Sequence, residues 1–401
     1  MNQFNDLSVS SALKSNLARH GFVSPTPVQA QAIPPALEGR DVIATAQTGT
    51  GKTLAFVLPL LEKLLRDPVG VGVSAVILSP TRELAIQINE TFVKLAAHTG
   101  IRAAVVVGGL NEQSQLKQVR NGARVIIGTP GRLVDFLDRR LVKLGKVNTV
   151  VLDEADRMLD MGFLPVIKRI LSEVPSPRQT LFFSATIETS VAKLINTYLT
   201  DPVRISLGAT TKVADNVSLR YYEIEQDRKL ALLAHLIRSE KGTYLVFART
   251  KHGTDRLAKQ LGANGIRAAR IHGDRTQNQR NEALKGFRDG SYNVLVATDV
   301  AARGIHVDGI SHVVNFDLPQ VPEDFIHRVG RTARAGAQGV ASTFATRQQR
   351  SEIRNLERSL KLTLDRTDVP ALPESKVVTI PTHTVEAAPK RSNFKRRAGR
   401  Y

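Results

Sequence analysis

The chain reads as an α/β protein with two tandem, doubly wound parallel-sheet lobes, a flexible linker between them and a disordered basic C-terminal tail. Three observations predict this. Short β-branched runs alternate with helix-length segments twice over, a glycine-rich phosphate-loop pattern follows the first run, and a polar break falls near residue 210. The first set of runs is Val42 to Thr45, Val73 to Leu78, Ala104 to Val107, Arg124 to Gly128, Thr149 to Leu152 and Thr180 to Ser184. The second is Tyr244 to Ala248, Ala269 to His272, Val294 to Thr298, His312 to Phe316 and Ala341 to Ala345. Strands spaced by helix-length segments imply right-handed crossovers and parallel sheets.

Between the sets, Ser206 to Asn216 lacks apolar periodicity and collects small polar residues, as a linker does. The expected division is 1–30 as an N-terminal segment, 31–209 and 210–368 as the lobes, and 369–401 as the tail. Three prolines between Val369 and Pro381, and the basic end Lys390 to Tyr401, carry the expectation of disorder. Such a tail suits an RNA-holding arm or a solubilising terminus.

Composition narrows the chemistry. There are 56 basic and 37 acidic residues, a net charge of +19 that suits a polyanionic partner, with nucleic acid foremost. Aromatics are only 5% with no Trp, so contacts to the sugar-phosphate backbone should outweigh base stacking and sequence preference should be weak. The absence of cysteine excludes disulfides and thiolate metal sites, and the nine histidines show no zinc-binding spacing. No run of 18 apolar residues occurs and the start carries no basic or apolar leader, so a cytoplasmic protein without membrane partners is expected.

Two motifs point to nucleoside triphosphate chemistry. In Ala46-Gln47-Thr48-Gly49-Thr50-Gly51-Lys52-Thr53 the glycines let backbone N–H groups turn around phosphate oxygens, Lys52 reaches the terminal phosphates and the Thr53 hydroxyl can ligate Mg²⁺. Ala46 replaces the usual first glycine, so the turn there must be open to ordinary residues. A hundred residues on, Thr149 to Leu152 delivers Asp153-Glu154-Ala155-Asp156 to a strand's carboxyl end, where ligands of parallel sheets sit. Asp153 would hold Mg²⁺ through water, and Glu154 would orient or deprotonate the attacking water.

The second set of strands has no phosphate loop. It carries His327-Arg328-Val329-Gly330-Arg331-Thr332-Ala333-Arg334, in which Arg331 and Arg334 could share one helix face. Arginines presented across a cleft to a γ-phosphate stabilise transition-state charge; arginines there could equally bind nucleic acid, and spacing leaves that choice open.

These segments carry a resemblance that covers nearly the whole folded chain. The order Gly21 to Gln29, Ala46 to Thr53, Pro80 to Ala85, Gly108-Gly109, Thr129 to Arg132, Asp153 to Asp156, Ser184 to Thr186, Val246 to Thr250, Gln277 to Arg280, Ala297 to Gly304 and His327 to Gly336 resembles the DEAD-box ATP-dependent RNA helicases of superfamily 2. The short form with a basic tail is similar to the bacterial RhlE-like branch.

The resemblance implies RecA-like lobes, ATP and Mg²⁺ as cofactors, and RNA as partner, with ribosomal or RNA-decay machinery as further context. It implies that Gln29 reads adenine, whose N6 donor and N7 acceptor an amide can pair with, while Phe22 and Phe4 pack on the ring. Ser184, Thr186 and His327 would couple the nucleotide to RNA, with Asp156 as the partner of the first two. RNA contacts would come from Thr81, Arg82, Gly108, Gly109, Thr129, Gly131 and Arg132 in one lobe and from Arg249, Thr250, Gln277, Arg280 and Thr298 in the other. Two positions depart from the family pattern: His306 stands where an Asp usually meets the ribose, and Ala333 replaces a common Gly, a change expected to favour helix slightly. The implied mechanism is local, non-processive strand separation on lobe closure. A DNA-directed helicase and an ATP-gated RNA clamp or scaffold are the alternatives.

Overall fold

The computed structural model describes residues 3–46, 49–67, 72–187, 189–207, 216–302, 307, 309–333 and 337–373. Among these, fourteen strands form two sheets of seven. The first holds β1 (Val42–Thr45), β2 (Ala75–Leu78), β3 (Ala103–Val106), β4 (Val125–Gly128), β5 (Thr149–Leu152), β6 (Gln179–Ser184) and β7 (Val203–Ser206), in the order β3-β4-β2-β5-β6-β1-β7. The second holds β8 (Val217–Glu223), β9 (Tyr244–Phe247), β10 (Ala268–Ile271), β11 (Val294–Ala297), β12 (His312–Asn315), β13 (Gly339–Ala345) and β14 (Asp365–Arg366), ordered β10-β11-β9-β12-β13-β8-β14. Strand for strand the two orders are the same. Every recorded pairing is parallel, as between β1 and β6 or β9 and β11.

The strand sequences explain this pairing. Ala75-Val-Ile-Leu78 and Val294-Leu-Val-Ala297 are buried throughout, the mark of parallel strands covered by helices on both faces. Because side chains alternate along a strand, neighbours join different cores. Phe183 packs with Phe56 and Ile77 on one face of the first sheet, and Phe182 packs with Phe136 and Leu152 on the other. In the second lobe Leu245 and Phe247 face one core, Tyr244 and Val246 the other.

Some expectations need correction. The strands β7, β8 and β14 were not foreseen, because β7 and β14 lie at or near a sheet edge with little burial and β8 mixes exposed polar residues with tyrosines. The segment 1–30 packs on the first lobe: Phe4, Leu7, Leu13, Leu17 and Val28 share its core, and Asn16 Nδ2 donates to Leu95 O (2.9 Å) and Ala97 O (2.7 Å). Val369 and Leu372 pack on the second lobe's core, so the chain stays docked past the expected start of the tail. Residues 208–215 of the expected linker and 374–401 of the expected tail lie outside the described residues.

Topology divides each lobe's carboxyl edge into two halves. In the first lobe β5, β6 and β1 are neighbours and lead into Asp153, Ser184 to Thr186 and the phosphate loop. The adjoining β3, β4 and β2 lead into Gly108-Gly109, Thr129 and Thr81. One half therefore carries the nucleotide motifs and the other the expected RNA contacts.

Candidate active site and nucleic-acid face

The phosphate loop turns at Gly51, whose φ of 91° lies in the left-handed region and whose missing Cβ leaves room for Gln29 Nε2. Gln29 sits in the helix Pro27–Leu37, where its Oε1 accepts from Thr26 N (2.8 Å) and its Nε2 donates to Gly51 O (2.9 Å). One amide N–H and one carbonyl lone pair stay available to a base. Phe22 is partly buried against the same core, whereas Phe4 is 2% exposed inside it. Phe4 is therefore a core residue beneath the segment, with no ring face open to adenine. Gln47 and Thr48 lie outside the described residues.

Lys52 and Thr53 begin the helix Lys52–Arg66, and Lys52 Nζ donates to Ala46 O (2.9 Å). Ala46 N donates to Ser184 O (3.0 Å), which joins the loop to β6. Asp153 is buried and its Oδ1 has no hydrogen-bond partner, while its N donates to Leu78 O (2.9 Å). Burial pushes the Asp153 carboxyl up, against the opposing charge of Lys52. Glu154 is also buried, which pushes its carboxyl up, but Arg157, Lys52 and Arg331 together hold it well below the usual range. A buried carboxylate oxygen without a donor fits a hard divalent cation that takes its remaining ligands from phosphates and water. Among the described residues no group of three or more His, Asp or Glu is arranged to hold a metal, so phosphate and water would have to complete such a sphere.

Asp156 is tied to β6 as expected. Its Oδ2 accepts from Ala185 N (2.9 Å), Thr186 N (2.8 Å) and Thr186 Oγ1 (3.1 Å), and its N donates to Ser184 Oγ (3.3 Å). Ser184 Oγ in turn donates to Thr186 O (2.6 Å).

The second lobe supplies the far wall. Glu154, Asp156, Arg157, Asp160 and Ala185 line one small cavity together with His327 and Arg331. The helix Pro322–Val329 stops at its C-cap Gly330, so Arg331 stands in the following turn rather than on a helix face shared with Arg334. Ala333 is left-handed, with a φ of 55°, and so lies outside any helix, contrary to expectation. Arg334 and His306 lie outside the described residues.

Arg328, which sequence reasoning passed over, anchors this helix. It is 2% exposed, donates to both oxygens of Asp299 (2.6 and 2.7 Å) and to Asp317 O (2.7 Å), and lies over the Phe247 ring. A fork of donors matched to a carboxylate suits a guanidinium, and the place of Arg328 inside the motif His327 to Arg334 was the only sequence signal.

Helices also begin at the carboxyl ends of β2 and β4 in the first lobe and of β9 in the second. Thr81, Thr129 and Thr250 are N-caps of the helices Arg82–Leu95, Pro130–Asp138 and Lys251–Ala263. Exposed backbone N–H groups at such ends suit phosphate oxygens. The Arg82 guanidinium lies across Gly108 and Gly109, and a Cβ on Gly109 (φ 76°) would collide with it. Gly131 and Arg249 are exposed; Arg132 is held by Glu112 (3.0 Å) and Asp135 (2.6 Å), and Thr298 is 8% exposed beyond β11. Gln277 and Arg280 are buried and turn toward the first lobe. Arg280 Nε and Nη2 each lie 2.8 Å from Glu83 Oε1, and Gln277 Nε2 donates to the same oxygen at 3.2 Å. Glu83 was not foreseen as a partner.

The chain matches the DEAD/DEAH box helicase model over residues 26–194 and the helicase conserved C-terminal domain model over residues 228–336. It is 43% identical over 373 residues to the DEAD-box ATP-dependent RNA helicase CshA of Bacillus subtilis (strain 168), covering 93% of this chain and 75% of that protein. The CshA of Geobacillus kaustophilus is 41% identical over 376 residues, covering 94% and 80%. Among solved structures, S. cerevisiae Dbp5 bound to RNA and ADP BeF3 superposes with a TM-score of 0.81 at 30% identity, covering 92% of this chain and 96% of that one. A DEAD box protein from Methanococcus jannaschii is more alike in sequence, at 35%, yet reaches a TM-score of only 0.52 over 92% and 99%. The two-lobe arrangement of this chain is thus nearer to that of the RNA-bound protein.

Proposed function

Because this chain belongs to the DEAD-box family of ATP-dependent RNA helicases, we propose that its two lobes close on ATP and single-stranded RNA together, and that closure separates short duplexes or remodels RNA–protein complexes. The enzyme hydrolyses ATP, and the residues of the cleft take the following proposed parts.

Lys52 exchanges its bond to Ala46 O for the terminal phosphates. Thr53 and Asp153 would hold Mg²⁺, which would supply positive charge against the phosphates. Glu154 orients the attacking water and takes its proton, and Arg331, with Arg334, faces the charge that develops on the γ-phosphoryl group. Gln29 selects adenine, with Phe22 beside it. Asp156, Ser184 and Thr186 pass the state of the nucleotide site to the RNA half of the edge, and His327 joins them from the second lobe.

RNA is gripped through phosphate and sugar at Thr81, Arg82, Gly108, Gly109, Thr129, Gly131, Arg132, Arg249, Thr250 and Thr298, and 2′-hydroxyl contacts favour RNA over DNA. Gln277 and Arg280 serve first to latch the lobes through Glu83. The proposed setting is cytoplasmic, with ribosomal or RNA-decay machinery nearby. No helix among the described residues is long and apolar enough to cross a membrane.

One observation supports this reading above the others: Glu154 and Asp156 of one lobe and His327 and Arg331 of the other line a single cavity. Hydrolysis then requires closure. The test is separation of a short labelled RNA duplex by the full chain with ATP. The unaltered protein should release strands repeatedly, and Glu154→Gln should bind RNA but not recycle. Long-lived RNA complexes with little strand release during turnover would replace the helicase by a clamp.

A further inference from the structure

Arg157 has no assigned part in the cleft, yet it touches the residue that has the most exacting one. Its Nη1 lies 2.5 Å from Glu154 Oε2, and the two side chains are only 9% and 7% exposed. The pair is i,i+3, but Glu154 precedes the helix Ala155–Asp160 as its N-cap, with φ and ψ of 50° and 52°. A left-handed non-glycine residue persists only where its surroundings hold it. Arg157 Nε and Nη2 are buried with no hydrogen-bond partner, although Arg157 also lines the cavity that receives His327 and Arg331. A buried guanidinium that satisfies one carboxylate and leaves two donor atoms unused is poorly explained as a stabilising ion pair, since burial of both charges costs nearly as much as their attraction returns.

A positional account fits better. Glu154 faces cations from both sides: Arg157 on its own lobe and Arg331 on the other, both at the same cavity. Without Arg157, and with the nearby Lys52 turned to Ala46 O, the carboxylate would draw the Arg331 guanidinium toward itself and away from the γ-phosphate. We propose that Arg157 is a positioning residue for hydrolysis, holding Glu154 in the geometry from which it meets the attacking water and sparing Arg331 for the phosphate. The proposal rests on the roles given above to Glu154 and Arg331. It assigns Arg157 no contact with ATP, water or RNA.

The experiment is steady-state ATPase of the full chain with saturating RNA, for the unaltered protein, Arg157→Met, Arg157→Lys, Glu154→Gln and the double variant Glu154→Gln/Arg157→Met. Loss of a residue that orients a general base should lower kcat by about tenfold or more. The ATP KM and the RNA concentration at half-stimulation should stay within about threefold, because neither ligand touches Arg157. Arg157→Lys should recover part of kcat, since it keeps the charge without the planar fork. In the Glu154→Gln background, Arg157→Met should cost little more, because both changes remove one function. A kcat within about twofold of the unaltered protein, or the same proportional loss in both backgrounds, would overturn the proposal. If Arg157→Met does not fold, Arg157→Lys at full kcat with unchanged additivity against Glu154→Gln overturns it equally. Lack of any RNA-stimulated turnover in the unaltered chain would be a different result, bringing down the functional reading itself and this proposal with it.

Discussion

Replacing Glu83 by alanine should uncouple ATP binding from RNA binding while leaving each lobe folded. In the closed arrangement Glu83 Oε1 receives Arg280 Nε and Nη2, each at 2.8 Å, and Gln277 Nε2 at 3.2 Å, with Glu83 and Arg280 only 7% and 9% exposed. In an open arrangement those donors are free to hydrate, so the substitution acts almost wholly on closure. Removing one member of a buried ion pair costs about 3 to 5 kcal/mol, because the other charge stays buried and unpaired. Allowing for water entering the vacated space, about 3 kcal/mol is reasonable, which is about a hundredfold in the closure equilibrium. The factor by which a non-hydrolysable ATP analogue tightens RNA binding should fall by a similar amount, with fluorescence anisotropy of a labelled single strand as the assay. Glu83→Gln, which keeps a neutral acceptor, should fall by about tenfold. An ATP-dependent gain in RNA affinity that stays within about twofold in Glu83→Ala would refute the latch. A drop in melting temperature without ligands would place the cost in the first lobe instead.

Other outcomes follow from the same geometry. Ala333→Gly relieves a left-handed alanine and should stabilise the second lobe by about 1 kcal/mol in thermal unfolding; no gain would mean that the turn is unstrained. Asp156→Ala leaves Ala185 N, Thr186 N and Thr186 Oγ1 without their acceptor, so unwinding should drop by about tenfold or more with the ATP KM within about threefold; a parallel loss of ATP binding would count against a relay. His312 stacks on Tyr244 with ring centroids 4.3 Å apart, and burial lowers its pKa from 6.5 against the pull of Lys241 O and Glu240. The unfolded chain then binds the extra proton first, so stability is present above pH 6.5 and declines as pH falls below it; in His312→Phe that decline should be smaller, as followed by melting temperature.

What the sequence made legible was governed by burial. The strands β1 and β5 have the bounds their apolar runs predict, because strands covered on both faces announce themselves. The strand β7 was missed because Val203-Arg-Ile-Ser206 lies on a sheet edge with one buried residue, and a polar, half-exposed β8 offers no such run. The matching strand order of the two lobes is likewise absent from the sequence as a repeat: topology can be shared where side chains are not. Within the cleft, the nucleotide motifs were readable from residue type and spacing, whereas the bond from Asp156 to Thr186 was expected only from the family resemblance. What stayed hidden was any neighbour drawn from far along the chain. No spacing showed that Glu83, 197 residues away in sequence, meets Arg280, or that the core encloses Phe4. Arg331 looked helical because spacing alone does not show that Gly330 ends the helix.

The central claim is that RNA completes the ATPase by closing one lobe on the other. The most direct measurement is the ATPase rate of the full chain with saturating single-stranded RNA and with single-stranded DNA of the same sequence. Stimulation by RNA should exceed that by DNA by about tenfold or more, because a backbone-directed grip reads the 2′-hydroxyl. Equal stimulation by the two strands would contradict the account.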